Sequence, residues 1–356
     1  MFPDPVRKYL KTIENIEIKT YIKDIFSEIT KKGKKVAYHA LCADGAISAS
    51  ILKYLGWGDI FIPLDYDVLK NDVLRPYLTS VDWFIIIDLE PFAENTLDLW
   101  VDHHRSVIGS KINAKRIAFE VGEYGPSAAF VLYNYAKSKQ NIPEFIAELA
   151  EISKVTDTAS FKIDPPTEKI DLNNTKEILT NFDKLCWFVV DATNIEDSFS
   201  LQANNELVNL LATNGVNSLI NQEIIDRVNR HRDKRILAEN YIKTLTISSL
   251  MVIINGPNQI FKQYVALRLG NLGTKVIAFF TEKKNLISIS LRQSKKNSSD
   301  EIANFRLDIL AKLFNQSGGG HAEASGSASE SLEKALGVIT KWGSEKGLEL
   351  TVNYYN

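Results

Sequence analysis

From about Tyr9 to Thr30, apolar residues recur at near-helical spacing among charged ones, which predicts an amphipathic opening helix. Short solid apolar runs follow. KVAYHA (Lys35–Ala40), DIFIPL (Asp59–Leu64), VDWFIIID (Val81–Asp88) and LDLWVD (Leu97–Asp102) read as strands. Between and after them, AISASILKYLGW, ending near Gly56, and the stretches Pro126–Lys139 and Ile142–Lys154 read as helices. Strands alternating with helices predict an α/β domain built on a doubly wound parallel sheet.

Beyond Asp157 the pattern loosens, with Pro165-Pro166 in a polar loop, and a charged helical stretch then runs from about Asn217 to Lys243. That stretch predicts a connector. After it come LTISSLMVIING, a helix around Ile260–Leu269, the strands TKVIAFFTE and NLISISLRQ, a helix around Ile302–Phe314, a glycine run and a last helix near Glu330–Trp342. The chain therefore divides into a first domain over 1–200, a helical connector over 201–244 and a smaller α/β domain over 245–356. Solenoid-type repeats are not found.

The length of 356 residues suits two domains at about 150 residues each. With 45% hydrophobic and 24% charged residues, the composition excludes disordered and collagen-like chains. A net charge of −2 excludes a globally basic nucleic-acid coat and argues against a long electrostatic groove. Cys42 and Cys186 form no CxxC motif, so neither a structural zinc site nor a disulfide framework is expected. No apolar run approaches the roughly 20 residues of a membrane span. The expectation is a cytoplasmic protein without membrane contact.

Four of the five histidines fall in polar clusters directly after predicted strands or beside glycines. In open α/β sheets, ligands collect outside the carboxyl ends of the strands. His39 with Cys42 and Asp44, then Asp88, then Asp102-His103-His104 occupy such places. A carboxylate ending a buried strand is costly unless paired or bound to a cation, although Asp88 alone reads as well as a cap for the next turn. Ser317–Gly326 (SGGGHAEASG) sets Gly318, Gly319 and Gly320 before His321, where backbone N–H groups could form an anion nest. His231, in the charged stretch NRHRDKR, reads as a surface residue, and GNLGTK lacks the spacing of a P-loop.

Together, HALCADG (His39–Gly45), IIIDLEP around Asp88, VDHHRS (Val101–Ser106), TDTASF around Asp157 and SGGGHAEASG resemble the DHH phosphoesterase family in order and spacing. More narrowly they resemble members with a DHH-associated C-terminal domain, such as RecJ-like exonucleases and NrnA-like nano-RNases, over about residues 35–330. The resemblance implies two divalent cations, usually Mn²⁺, with Mg²⁺ also suited to the donors. It implies that Asp88 bridges them, with His39 on one and Asp44, His103 and Asp157 on the other. The cations would activate a water for in-line attack on phosphorus. His104 would contact the phosphate, and Asp102 would orient His103 or stand behind it, fixing the imidazole tautomer. Arg292 and the Gly318–His321 segment would grip the substrate in a cleft between the domains, with Arg105 a weaker candidate.

Cys42 departs from the usual pattern, in which an aspartate stands at its position. A thiolate suits Mn²⁺ poorly, so the His39 position is expected to be weakened, completed by water or selective for another ion. Equally, Cys42 reads as a small buried residue beneath the loop. The implied substrate is a short single-stranded oligonucleotide. Alternatives are a small phosphate compound (3′-phosphoadenosine 5′-phosphate, a cyclic dinucleotide or polyphosphate) or a nucleotide-binding module that has lost catalysis. A homodimer is compatible with the resemblance.

Overall fold

Strands β1 (Lys35–His39), β2 (Ile60–Leu64), β3 (Trp83–Ile87), β4 (Leu97–Asp102) and β5 (Ala114–Phe119) form one sheet in the order β2-β1-β3-β4-β5, every pair parallel. They belong to a computed structural model that describes residues 2–40, 42–193, 200–256, 259–283, 286–320 and 322–355. Alternate residues feed opposite faces: Val36 and Tyr38 pack on one side, Ala37 on the other. Helices Ala43–Tyr54, Ala128–Lys137 and Glu144–Thr158 cover the first face, and Asp4–Thr12 with Ile16–Ile29 cover the second. The doubly wound parallel sheet expected from the sequence is present.

This strand order fixes where a ligand belongs. From β1 the chain moves outward to β2 and then crosses back to β3 on β1's other side. The direction of winding reverses between β1 and β3, and the crevice at their carboxyl ends is the ligand site of such sheets. His39 ends β1 and Asp88 directly follows β3.

Some elements differ from the sequence expectation. The opening helix is two helices, because Asn15 caps the second one, accepting from the N–H groups of Glu17 and Ile18 at 2.8 and 3.1 Å. Strand β5 escapes detection because it is a charged edge strand, with Arg116 paired to Asp98. His231 is not a surface residue. Its side chain is 10% exposed and its Nδ1 lies 3.0 Å from Oδ1 of the buried Asp191, whose Oδ2 accepts from Arg232 Nε at 3.2 Å.

The chain separates into two compact units, Met1–Arg232 and Asp233–Asn356, with the division inside the helix Gln222–Ile242. In the second unit, β6 (Leu250–Ile254), β7 (Val276–Lys283), β8 (Leu286–Gln293), β9 (Gly319–Gly320), β10 (Ala324–Ser329) and β11 (Leu350–Tyr354) form a mixed sheet in the order β11-β6-β7-β8-β10-β9. The pairs β11–β6 and β6–β7 are parallel and the remainder antiparallel. The helix expected over Ile302–Phe314 is two, Ser299–Phe305 and Leu307–Phe314, separated at Arg306. Among the described residues, no helix is long and apolar enough to cross a membrane.

Candidate metal centre

The centre begins with a close approach. A Cβ on Gly45 would stand 2.0 Å from the His39 carbonyl oxygen, so only glycine lets the helix Ala43–Tyr54 start against the end of β1. That contact gathers His39, Cys42 and Asp44 at the switch point. Cys42 is the N-cap of this helix, and its Sγ accepts from the Gly45 N–H at 3.2 Å.

Asp44, in the first helical turn, is 1% exposed. Its carboxylate accepts from the first N–H groups of another helix, Ala128 at 2.7 Å and Ala129 at 2.8 Å, and from Ser153 Oγ at 2.7 Å. Ser153 is in turn 3.0 Å from Ser127, the N-cap of that helix. The helix end favours the negative charge. Burial nevertheless pushes the Asp44 pKa up to about 7, with Asp88 and Asp157 adding to the rise and His103 and Ser153 opposing it.

Asp88 stands at φ 57, in the left-handed region that aspartate tolerates better than most residues. Its N–H still donates to the Val101 carbonyl at 3.0 Å, continuing the ladder one residue past β3. The turn aims the two carboxylate oxygens apart. Oδ2 lies 3.3 Å from both His39 Nδ1 and Cys42 Sγ, whereas Oδ1 lies 3.7 Å from His103 Nε2 and 3.8 Å from His104 Nδ1. Burial opposes ionisation of Asp88, but the imidazoles of His103 and His39 outweigh it and hold the pKa well below the carboxylate range.

Three carboxylates converge on one nitrogen. His103 Nε2 is 3.5 Å from Asp157 Oδ2, 3.6 Å from Asp44 Oδ2 and 3.7 Å from Asp88 Oδ1. It is buried without a hydrogen-bond partner. Burial alone would lower the His103 pKa, yet Asp88, Asp44 and Asp157 raise it to about 9. Asp157 lies in the last turn of Glu144–Thr158, where the helix dipole disfavours a carboxylate.

Two donor sets result on the two carboxylate faces of Asp88, His39–Cys42–Asp88 and Asp44–His103–Asp157, and a third, Asp88–Asp102–His103–His104, overlaps both, with ligand atoms within 4.8 Å of one another in each. An orphaned imidazole nitrogen facing three carboxylates beyond hydrogen-bonding distance suits a shared divalent cation. The residues fit the expected metal.

Asp102, 0% exposed, acts mainly on His104. Its Oδ1 lies 2.7 Å from His104 Nδ1 and also accepts the His103 backbone N–H at 2.7 Å. Because a carboxylate only accepts, Nδ1 of His104 carries the proton and Nε2 is left for a ligand. Tyr66 packs edge-on against the His39 ring at 5.2 Å.

No family model matches the sequence, and no curated protein matches it either. Solved structures do match the fold. The pGpG-specific phosphodiesterase PggH from Vibrio cholerae superposes with a TM-score of 0.61 at 16% identity, over 88% of this chain and 99% of that one. RecJ from Thermus thermophilus in complex with Mn²⁺ superposes with a TM-score of 0.55 at 13% identity, over 96% of this chain and 56% of its own. An exopolyphosphatase-related protein from Bacteroides fragilis gives 0.51 at 15% identity, over 92% and 96%. The fold is that of the DHH-domain proteins.

Other candidate residues of this DHH-like chain are placed as follows. Arg105 is exposed in the 3₁₀ turn Arg105–Val107. In the second unit, Arg292 on β8 pairs in register with Ala324 of β10, and its Nη1 donates to the Leu291 carbonyl at 2.9 Å. Burial lowers its pKa, and among the described residues it faces no carboxylate. Gly318 is required by packing, since a Cβ there would meet the Ala311 carbonyl oxygen at 2.4 Å. Gly319 has nothing within 4 Å of its Cβ position, and Gly320 pairs with Ser325 on β10. His321 lies outside the described residues. Sequence reasoning missed Ser127, Ser153 and Tyr66. Ser127, just before an apolar helical run, carried an N-cap signal, whereas nothing local marks Ser153.

Proposed function

We propose that the chain is a divalent-metal-dependent phosphodiesterase acting on short single-stranded oligonucleotides. The observation that carries this reading is the convergence of Asp44, Asp88 and Asp157 on the unpartnered His103 Nε2. Asp88 would hold both cations, through Oδ2 beside His39 and Cys42 and through Oδ1 beside His103. When bound, the cations supply Lewis acidity and activate a water for in-line attack on phosphorus. His104, its Nδ1–H held by Asp102 and its pKa raised, against the effect of burial, by Asp102 and Asp88, would as an imidazolium donate Nε2–H to a phosphate oxygen. Mn²⁺ and Mg²⁺ suit the oxygen-rich donors, and RecJ structures that share the fold contain these ions.

In the second unit, Arg292 would supply a phosphate-binding fork, and the open surface at Gly319 would leave a substrate room to approach. The near-neutral net charge favours short substrates. So does the likeness to a phosphodiesterase specific for pGpG, itself a dinucleotide. The likeness to an exopolyphosphatase-related protein supports a second reading, hydrolysis of a small phosphate compound.

The test is a time course with Mn²⁺ on 5′-labelled RNA and DNA from a dinucleotide to about twenty nucleotides, longer than the roughly 4–16 that one single-strand groove contacts. An Asp88→Ala control runs beside it. Release of mononucleotides that vanishes in the control supports the proposal. Absence of cleavage at every length, with turnover of small phosphate compounds, would move the function to the second reading.

A further inference from the structure

The two donor sets are chemically unlike. His39, Cys42 and Asp88 offer nitrogen, sulfur and oxygen, whereas Asp44, His103 and Asp157 offer one nitrogen and two oxygens. We propose that the centre is heterometallic: the His39–Cys42–Asp88 position takes Zn²⁺ through the Cys42 thiolate, and the Asp44–His103–Asp157 position takes Mn²⁺ or Mg²⁺. This rests on the two-cation reading above and adds the identity of the ions.

Three features of Cys42 support a ligand role. First, its Sγ and His39 Nδ1 each lie 3.3 Å from Asp88 Oδ2. Donors at about 2.0–2.3 Å around a tetrahedral Zn²⁺ stand roughly 3.3–3.6 Å apart, which matches both distances, and all three donor atoms lie within 4.8 Å of one another. Second, the sulfur sits at the N-terminus of Ala43–Tyr54 and accepts the Gly45 N–H at 3.2 Å. Without a cation, burial and the carboxylates of Asp88, Asp44 and Asp157 push the Cys42 thiol well up, so its S–H proton leaves to solvent only as the cation binds, the helix N-terminus then favouring the thiolate. Third, three protein ligands with an open fourth position is the pattern of zinc sites that do chemistry. Soft sulfur favours zinc, whereas oxygen-rich donors favour manganese or magnesium. The buried, unpartnered His103 Nε2 on the other side of Asp88 marks the second position independently.

To test this, the full chain is stripped with a chelator and re-equilibrated with limiting, equimolar Zn²⁺ and Mn²⁺, and its metal content is measured by mass spectrometry. Co²⁺ replaces Zn²⁺ in a parallel absorption experiment. The wild type is expected to hold one zinc and one manganese per chain and to show a thiolate-to-cobalt charge-transfer band. Cys42→Asp retains a capping oxygen and a ligand, and should lose the band and lower the zinc-to-manganese ratio about tenfold or more, since even outer partners of a metal ligand change affinity by 10–100-fold. Cys42→Ser, also a good N-cap, should lose the band as well. The proposal is overturned if the wild type fills both positions with one kind of ion and shows no band, or if Cys42→Asp leaves the ratio unchanged. Retention of neither ion by the wild type would overturn the two-cation reading itself, and this proposal with it.

Discussion

Asp44 makes the metal-free protein sensitive to pH in a direction opposite to that of ordinary paired carboxylates. Its pKa is raised from 3.8 to about 7, chiefly by burial and then by Asp88 and Asp157. Between those values the folded chain holds a proton that the unfolded chain has lost. Stability contributed by a group that binds more protons when folded falls as pH rises. At about 1.4 kcal/mol for each tenfold in proton affinity, the loss across this window is roughly 4 kcal/mol. Screening does not reduce it, because Asp44 is 1% exposed.

Asp44→Asn removes this titration while keeping the shape of the side chain. The amide can still accept from Ala129 and Ser153, but its NH₂ replaces the oxygen that accepts the Ala128 N–H at 2.7 Å. Leaving that buried donor unsatisfied costs about 1–3 kcal/mol at every pH. The assay is urea unfolding in chelator from about pH 4 to pH 8, the range over which the raised group titrates. The wild type should be the more stable protein at the acid end and should lose several kcal/mol of that advantage by the alkaline end. Mn²⁺ at a hundred times its Kd should offset most of the wild-type loss at the alkaline end, because the cation binds the ionised carboxylates and adds about 2.7 kcal/mol there. Parallel pH profiles for the two proteins in chelator would refute the reasoning, and so would an Mn²⁺ effect of equal size in both.

Three further outcomes are expected. Asp88→Gly, which relieves the φ of 57, should fold with nearly wild-type circular dichroism and lose hydrolysis by about 10³-fold or more, as when a transition-state stabiliser is removed; substantial activity in a metal-replete assay would refute the bridging role. Gly319→Ala meets nothing within 4 Å and should leave the midpoint of unfolding within about 0.5 kcal/mol of wild type, yet raise KM if a substrate approaches there; unchanged KM would remove that surface from the binding site. Asp191→Ala removes the buried carboxylate that faces both His231 Nδ1 and Arg232 Nε and should cost about 1–3 kcal/mol in urea unfolding; a loss below 1 kcal/mol would show that these contacts contribute little.

What the sequence made legible follows the range of the interactions involved. The strands that carry the site are short apolar runs ending in a polar residue, so β1, β3 and β4, and the placement of His39, Asp88 and Asp102–His104 after them, could be read locally. The parallel order could be expected from the alternation with helices, but not the reversal of winding between β1 and β3. Strand β5 and the small-residue strand β10 gave no apolar signal, because one is charged and the other is ASGSAS. His231 was misread for a related reason: its partner, Asp191, is distant in sequence, and a charged helical stretch shows nothing of a buried carboxylate packed against it.

The environment of each ligand was the least legible part. Asp44 finds its partners at Ala128, Ala129 and Ser153, brought to it by packing of three helices, so no local pattern predicts that a candidate metal ligand also caps a distant helix. This double role sharpens the meaning of Cys42. Sequence alone allowed a buried spacer beneath the loop, but the sulfur is half-buried, caps its own helix and stands 3.3 Å from Asp88. A spacer would need none of these contacts. Since aspartate could make the same cap, capping alone does not account for sulfur at this position; two properties separate the residues there, the S–H that Cys42 donates to Asp88 Oδ2 at 3.3 Å and the softness of the donor offered to a cation.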